Sequence, residues 1–295
     1  MSITNRSNLP DALVRAIAND PYNSGDSDYT ITGLLKPPRI VQLEKRHAHE
    51  LTEDAEDGLY RLYGQIAHGI IERANMADLA EKRFYITVSG KKVSAQIDTL
   101  SITDGALSDF KFTTAWGFKA DKNPKPEWVA QLNVQAEILR QNGLKPQRLQ
   151  IVGLLRDWQK RDAQGDPSYP QRPVAVLEIP MWTSEQTLSF IEMRIAEHLA
   201  AVDSLPECTP DERWAKPDTW AVLKRGGKRA INGGVQFSQE AAEAVCAKNA
   251  GTHVVLRPGE STRCQSYCRV SQFCTQFKRL SAITQTDAEE KSDAV

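Results

Sequence analysis

The spacing of apolar and polar positions divides the chain into segments of distinct period. Residues 1–29 are polar, rich in Asn, Asp, Gly, Ser and Pro, and read as a loosely packed or mobile terminal segment. "TGLLKPPRIVQLEKRH" then predicts two short helical pieces parted by Pro37 and Pro38. In "EDAEDGLYRLYGQIAHGIIERANM" the period is helical. Leu59, Leu62, Ile66 and Ile70 share one face and Gly64, Ala67, His68 and Ile71 a second, which predicts a long helix packed on both sides.

From about residue 82 the period drops to two. "RFYITVSGKKVSAQIDTLSITDGALSDFKFT" predicts three strands joined by turns at Ser89-Gly90 and Thr103-Asp104-Gly105. "PEWVAQLNVQAEILRQNG" returns to helix, with Pro126 near its start and Gly143 just past its end. "RLQIVGLLRDW" and "RPVAVLEIPM" predict two more strands, and a helix follows over 184–204. Residues 205–280 show little regular pattern beyond a helix near 238–249, and 281–295 read as a disordered tail. This order predicts an α/β fold over 30–204, a central mixed β-sheet flanked by helices, with a Cys-rich region over 205–280.

A chain of 295 residues, 40% of them hydrophobic, suffices for one large domain or two small ones. It contains no apolar run long enough for a transmembrane helix and no signal-like amino terminus, so a cytoplasmic protein without membrane contact is expected. The formal net charge of −1 confines any nucleic-acid surface to a local patch.

The strand "ALSDFKFT" carries the first chemistry. Side chains alternate along a strand, so Asp109 and Lys111 share one face and Phe110 and Phe112 point the other way, into a core. Asp98 falls on the less apolar face of the preceding strand, "KVSAQIDTL". If those strands pair through the short turn, the two carboxylates approach each other and call for a cation between them, Mg²⁺ or Mn²⁺ with hard oxygen ligands. Lys111 would then address a water or a phosphoryl group. A solvated ion pair on an edge strand is the simpler account of Asp109 and Lys111 alone. On the long helix, Gly64 would let the backbone approach the sheet and leave His68 free to reach a metal, which favours Mn²⁺. Gln131 and Gln135 lie on the apolar side of their helix, where a buried amide needs a partner: the backbone, DNA, or a water on the metal.

In this order, Gly64-x3-His68, Ile97-Asp98, Asp109-Phe110-Lys111 and the Gln131 that opens "QLNVQAEIL" resemble the RecB-type branch of the PD-(D/E)xK nucleases, over roughly residues 30–155. The resemblance implies a restriction-endonuclease-like core. It also implies His68, Asp98, Asp109 and the Phe110 backbone carbonyl as metal ligands, with Asp98, Asp109 and Lys111 catalytic and Gln131 supporting them. The family's glutamine motif usually continues to a tyrosine where Gln135 stands here.

"RCQSYCRVSQFC" places Cys264, Cys268 and Cys274 at C-x3-C-x5-C, unlike the paired C-x2-C of most zinc sites. Three close cysteines and one remote cysteine suit a 4Fe–4S cluster, with zinc as the alternative. The fourth ligand is Cys208, in a Pro-rich turn, or Cys246, on a helix. Many RecB-type nucleases carry such a cluster, among them CRISPR-adaptation exonucleases, the AddB subunit and phage-encoded relatives. In those one cysteine usually precedes the core, where Pro37 or Pro38 stands here. Arg257, Arg263, Arg269, Lys278 and Arg279, with Tyr267 and Phe273 among them, suit contact with a nucleic-acid strand or make a solvated surface.

The expectation is thus a metal-dependent DNA nuclease, an exonuclease on single strands or duplex ends, with a structural cluster. Its alternatives are a phage-type recombination exonuclease or endonuclease on the same core, and a non-catalytic DNA-binding scaffold with a zinc site. DNA is the expected partner. A homo-oligomer and recombination or CRISPR partner proteins stay open.

Overall fold

The structure is a computed structural model that describes residues 2–19, 23–74, 79–120 and 123–282. The chain forms two compact units, one of residues 1–36 and 49–204 and one of residues 37–48 and 205–295. The elements begin with β1 (Ser2–Thr4), α1 (Asp11–Ala18), β2 (Tyr29–Thr30), α2 (Ile31–Leu35), α3 (Pro38–Arg46) and β3 (Thr52–Asp54). Next come α4 (Leu59–Ala74), β4 (Leu79–Ala80), β5 (Arg83–Val88), β6 (Lys91–Gln96), β7 (Thr99–Leu100) and β8 (Ala106–Thr113). The first unit closes with α5 (Pro126–Gln141), β9 (Arg148–Leu155), α6 (Lys160–Gly165), β10 (Val174–Ile179) and α7 (Ser184–Asp203). The second unit takes α3 and adds β11 (Thr219–Lys224), β12 (Ala230–Gln236), α8 (Gln239–Ala247), β13 (Thr252–Arg257), α9 (Thr262–Ser266) and a helical stretch over 275–282.

The first unit is a mixed α/β core. Its central sheet runs β10-β9-β8-β7-β4, with β8 and β9 parallel and the other neighbours antiparallel. A smaller sheet runs β2-β6-β5. The meander read from the sequence therefore switches sheets between β6 and β7, at Ile97 and Asp98.

Helix α5 joins the two cores. Val134 and Ile138 pack with Ile86, Val93, Ile191 and Ile195 beneath the small sheet, while Leu132, Ala136 and Leu139 pack with Ile97, Leu107, Leu149 and Ile151 on the large one. Residues 132–139 are all buried, so α5 is the helix packed on both sides. The expectation of two packed faces on α4 is corrected. None of its residues is buried, and Tyr60, Ile66 and Ile70 are exposed. A Cβ at Gly64 would meet nothing within 4 Å, so this glycine serves no close approach.

Two further expectations change. Residues 2–19 are held in place: β1 pairs in parallel with β3, Asp54 accepts hydrogen bonds from Thr4 Oγ1 and from Arg6 N and Nε, and Ile17 is buried. The second unit is less irregular than its sequence suggests, since β12-β11-β13 form an antiparallel sheet against which α8 packs. The tail beyond residue 282 lies outside the described residues. No helix among the described residues is long and apolar enough to cross a membrane.

Gly153 lies opposite Lys111 in the β8–β9 register, directly against the Phe118 ring. A Cβ there would stand 2.5 Å from Phe118 Cζ. Gly153→Ala is therefore expected to destabilise the first unit by about 1–3 kcal/mol through overpacking. Phe118→Leu in the same chain should recover part of that loss, as read from urea unfolding midpoints.

Candidate functional site

The site is built around a break between two strand pairs. β4 ends at Ala80 and β5 begins at Arg83, while β6 ends at Gln96 and β7 begins at Thr99. Across the break the backbone stays paired, Glu81 N donating to Asp98 O at 3.1 Å and Ile97 N to Lys82 O at 3.0 Å. Glu81 has φ 50°, a left-handed conformation that a residue with a side chain seldom adopts. The kink aims its carboxylate at α4, where His68 Nδ1 lies 3.1 Å from Glu81 Oε1 and 3.6 Å from Asp98 Oδ2. The ligand atoms of His68, Glu81 and Asp98 all lie within 4.8 Å of one another, and among the described residues they make the one such group of metal-ligating side chains.

Asp109 stands beside this group through strand register. β7 and β8 pair Leu100 with Leu107 and Thr99 with Ser108, where the ladder ends; Asp98 and Asp109 are the next residues along each strand, and the Asp109 charge acts on the Asp98 carboxyl. Asp98 Oδ2 is held by the Phe110 N–H at 2.6 Å. Asp109 is 1% exposed; its Oδ1 accepts from Gln131 Nε2 at 2.6 Å, and its Oδ2 is 2.7 Å from Lys111 Nζ as a charge pair outside hydrogen-bonding geometry. Lys111 Nζ also donates to Gln131 Oε1 at 3.2 Å. Helix α5 thus grips the Asp109–Lys111 face, burying the acid.

The opposite face departs from expectation. Phe110 and Phe112 are only half-buried, because α4 covers them loosely: Phe112 meets Tyr63 edge-on at 5.6 Å. Gln135 donates Nε2 to the Gln96 carbonyl at 3.2 Å.

Glu81 is the acid that sequence reasoning passed over. It belongs to no spaced motif and lies outside the regular strands, and only its kinked backbone brings it to His68. Gln96 Nε2 holds its second oxygen at 2.7 Å, and Arg83 in turn donates to Gln96 Oε1 at 2.9 Å.

Electrostatics follow the crowding. Burial first, and the neighbouring Asp109 charge second, push the Asp98 carboxyl up to about 7. The hydrogen bond to Glu81 draws the His68 imidazole upward against its own burial. Burial works against the Glu81 charge, but hydrogen bonds from His68 and Gln96 outweigh it and hold that carboxyl below its ordinary value.

The second unit holds the cysteines. Cys208, Cys264, Cys268 and Cys274 line one cavity with Arg39, Glu212, Arg213 and Arg263. All are free thiols, and burial raises the Cys208 thiol to about 12. Cys246 lies apart on α8, its sulfur accepting from Thr252 Oγ1 at 3.3 Å. Arg39, 5% exposed, donates to Cys274 Sγ at 3.2 Å, to the Leu205 and Pro206 carbonyls and to Thr275 Oγ1. Among the described residues no carboxylate pairs with it. Phe273 stacks on His47 at 3.9 Å, whereas Tyr267 is exposed beside Trp214.

The raised Asp98 carboxyl has a consequence for the metal-free protein. The folded state holds this proton more tightly than the unfolded chain does, so stability falls as pH rises from about 4 to about 7 and levels off above. Asp98→Asn removes the loss. In EDTA it is expected to raise the thermal midpoint above pH 7 by about 2–8 °C, the gap closing toward pH 4, as followed by scanning calorimetry.

No family model and no curated protein matches the chain. Among solved structures it is similar to SSO0001, at 15% identity and a TM-score of 0.43, covering 62% of this chain and 83% of that one. It is also similar to a "putative exonuclease" from Eubacterium rectale, at 16% identity and a TM-score of 0.32, covering 56% of this chain and 62% of that one.

Proposed function

We propose that the first unit is a divalent-metal-dependent DNA nuclease of the PD-(D/E)xK type, an exonuclease on single strands or duplex ends. The observation that carries this reading is the convergence of His68, Glu81 and Asp98 within 4.8 Å, beside the Asp109–Lys111 pair. The donor set fits a hard cation. Two carboxylates and one imidazole converge, and the neighbouring Asp109 charge still pushes the Asp98 carboxyl upward although His68 and Lys111 partly offset it. His68, Glu81 and Asp98 would hold Mn²⁺ or Mg²⁺, with Asp109 and the Phe110 carbonyl as further donors. The bound cation supplies Lewis-acid polarisation of a phosphoryl oxygen.

The chain's own groups do the rest. Asp109 and Gln131 fix the Lys111 ammonium, which is 28% exposed on the open side and offers positive charge to a phosphoryl group as its negative charge grows. The Phe110 N–H fixes the Asp98 carboxylate. Gln96 does the same for Glu81, so both acids are oriented before any ligand arrives.

The test is digestion of labelled single- and double-stranded DNA in Mn²⁺, with 5′ or 3′ ends blocked. Wild type is expected to shorten substrates from a free end. Asp109→Ala and Lys111→Ala should lower the rate by about 10²–10⁴-fold, while Glu81→Gln should raise the Mn²⁺ concentration required. Uncut DNA with wild type, or Asp109→Ala at full rate, defeats the reading.

The cysteine cavity is read as a 4Fe–4S site held by Cys208, Cys264, Cys268 and Cys274. The buried Arg39 cation, which forms no ion pair with a carboxylate among the described residues, fits thiolates that a bound cluster keeps ionised. The cluster, when bound, ties together the ends of a segment otherwise short of apolar core. Anaerobically purified protein is expected to be brown, with about four irons per chain. Cys208→Ser should lose iron and Cys246→Ser should keep it. A colourless sample containing zinc and no iron overturns the cluster.

A further inference from the structure

The second unit carries a feature that neither the cysteine cavity nor the first unit's acids explain. Strands β11 and β12 are joined by "KRGGKR", residues 224–229, beyond the last ladder pair, Leu223 with Ala230. Lys224, Arg225, Lys228 and Arg229 are all exposed. The connection turns tightly, Gly227 N donating to Lys224 O at 2.8 Å, and Gly226 takes φ 72°, so the two glycines let four cations crowd one tip.

A fifth cation joins them. Arg225 N donates to Gly251 O at 3.0 Å and Lys224 pairs with Thr252, which brings the turn after α8, and with it Lys248, to the same end of the sheet. Among the described residues none of these five side chains has an ion pair or a hydrogen bond. The chain has no Asp or Glu from 219 to 239 or from 244 to 259, although the whole protein carries a net charge of −1. Five unneutralised cations repel one another, and only a solvated tip tolerates them. What complements such a tip is a regular polyanion. No aromatic residue lies between 221 and 236, so the tip is equipped to hold phosphates and not to stack or read bases.

We propose that the β11–β12 tip, with Lys248, grips the phosphate backbone of nucleic acid without regard to base sequence. The choice of nucleic acid over other polyanions rests on the nuclease reading, but the grip is measured separately from cleavage.

The experiment is fluorescence anisotropy of the full chain, as purified, in EDTA, with labelled duplexes of two unrelated sequences across a salt series. Wild type is expected to bind both alike. Changing Lys224, Arg225, Lys228 and Arg229 together to Gln should weaken binding about 10–100-fold at low salt. It should also flatten the slope of log affinity on log salt by about 2–4. Lys228→Glu/Arg229→Glu, which also leaves the turn glycines intact and lowers the tip charge by the same four units, should weaken binding in comparable measure, with unchanged circular dichroism and iron content. Equal affinity and slope in both variants overturns the grip, as does wild type that prefers phosphatidylserine vesicles to DNA. A lost slope in the variants supports it even if wild type cuts nothing in Mn²⁺, in which case the nuclease reading alone falls.

Discussion

Two carboxylates held on neighbouring strands against their mutual repulsion set the terms for the first unit. The antiparallel pairing of β7 and β8 ends at Thr99 and Ser108, leaving Asp98 and Asp109 as the next residues on the two strands, close enough for the Asp109 charge to push the Asp98 carboxyl upward. The protein meets this conflict without separating them. Asp109 is offset by Lys111 and tied by Gln131, and Asp98 takes the Phe110 N–H and the company of His68. The conflict is only partly relieved, as the upward displacement of the Asp98 carboxyl records. A cation placed among these groups would offset such unresolved charge.

Helix α5 makes that arrangement rigid. It is buried against both sheets, so Gln131, half-buried between the buried Ala130 and Leu132, has little freedom, and the Asp109–Lys111 face is pressed against a fixed surface. Helix α4 is the opposite case. It contributes His68 yet buries none of its residues and leaves Tyr60, Ile66 and Ile70 to solvent. The acids thus sit on well-packed strands, while the imidazole comes from a lightly packed helix. The second unit repeats the theme of charge awaiting a counterpart. Among the described residues, Arg39 is buried against Cys274 without a carboxylate ion pair, and the cations of the 224–229 tip stand in solvent unpaired.

Much of this was legible in residue order. Period two over 82–113 and period 3.6 over 126–141 reflect what strands and helices must bury, so the meander and α5 could be read directly. Asp98, Asp109, Lys111 and Gln131 were legible because strand alternation puts the acid and lysine on one face, and a short turn returns one strand to the next. Spacing also singled out Cys264, Cys268 and Cys274.

Contacts across the chain decided the rest. Periodicity says that a helix has an apolar face and not whether anything covers it, which is why α4 reads as packed and is not. Glu81 reaches His68 only because its backbone turns left-handed between two strands, and local sequence does not encode the partner that makes such a turn worthwhile. Residues 2–19 look loose by composition and are ordered by Asp54, about fifty positions away. The sequence by itself determined the elements and the chemical groups on each strand face. The tertiary structure decided which of those groups meet, because their meeting depends on register, on backbone conformation at the breaks, and on which helix fills the space between sheets.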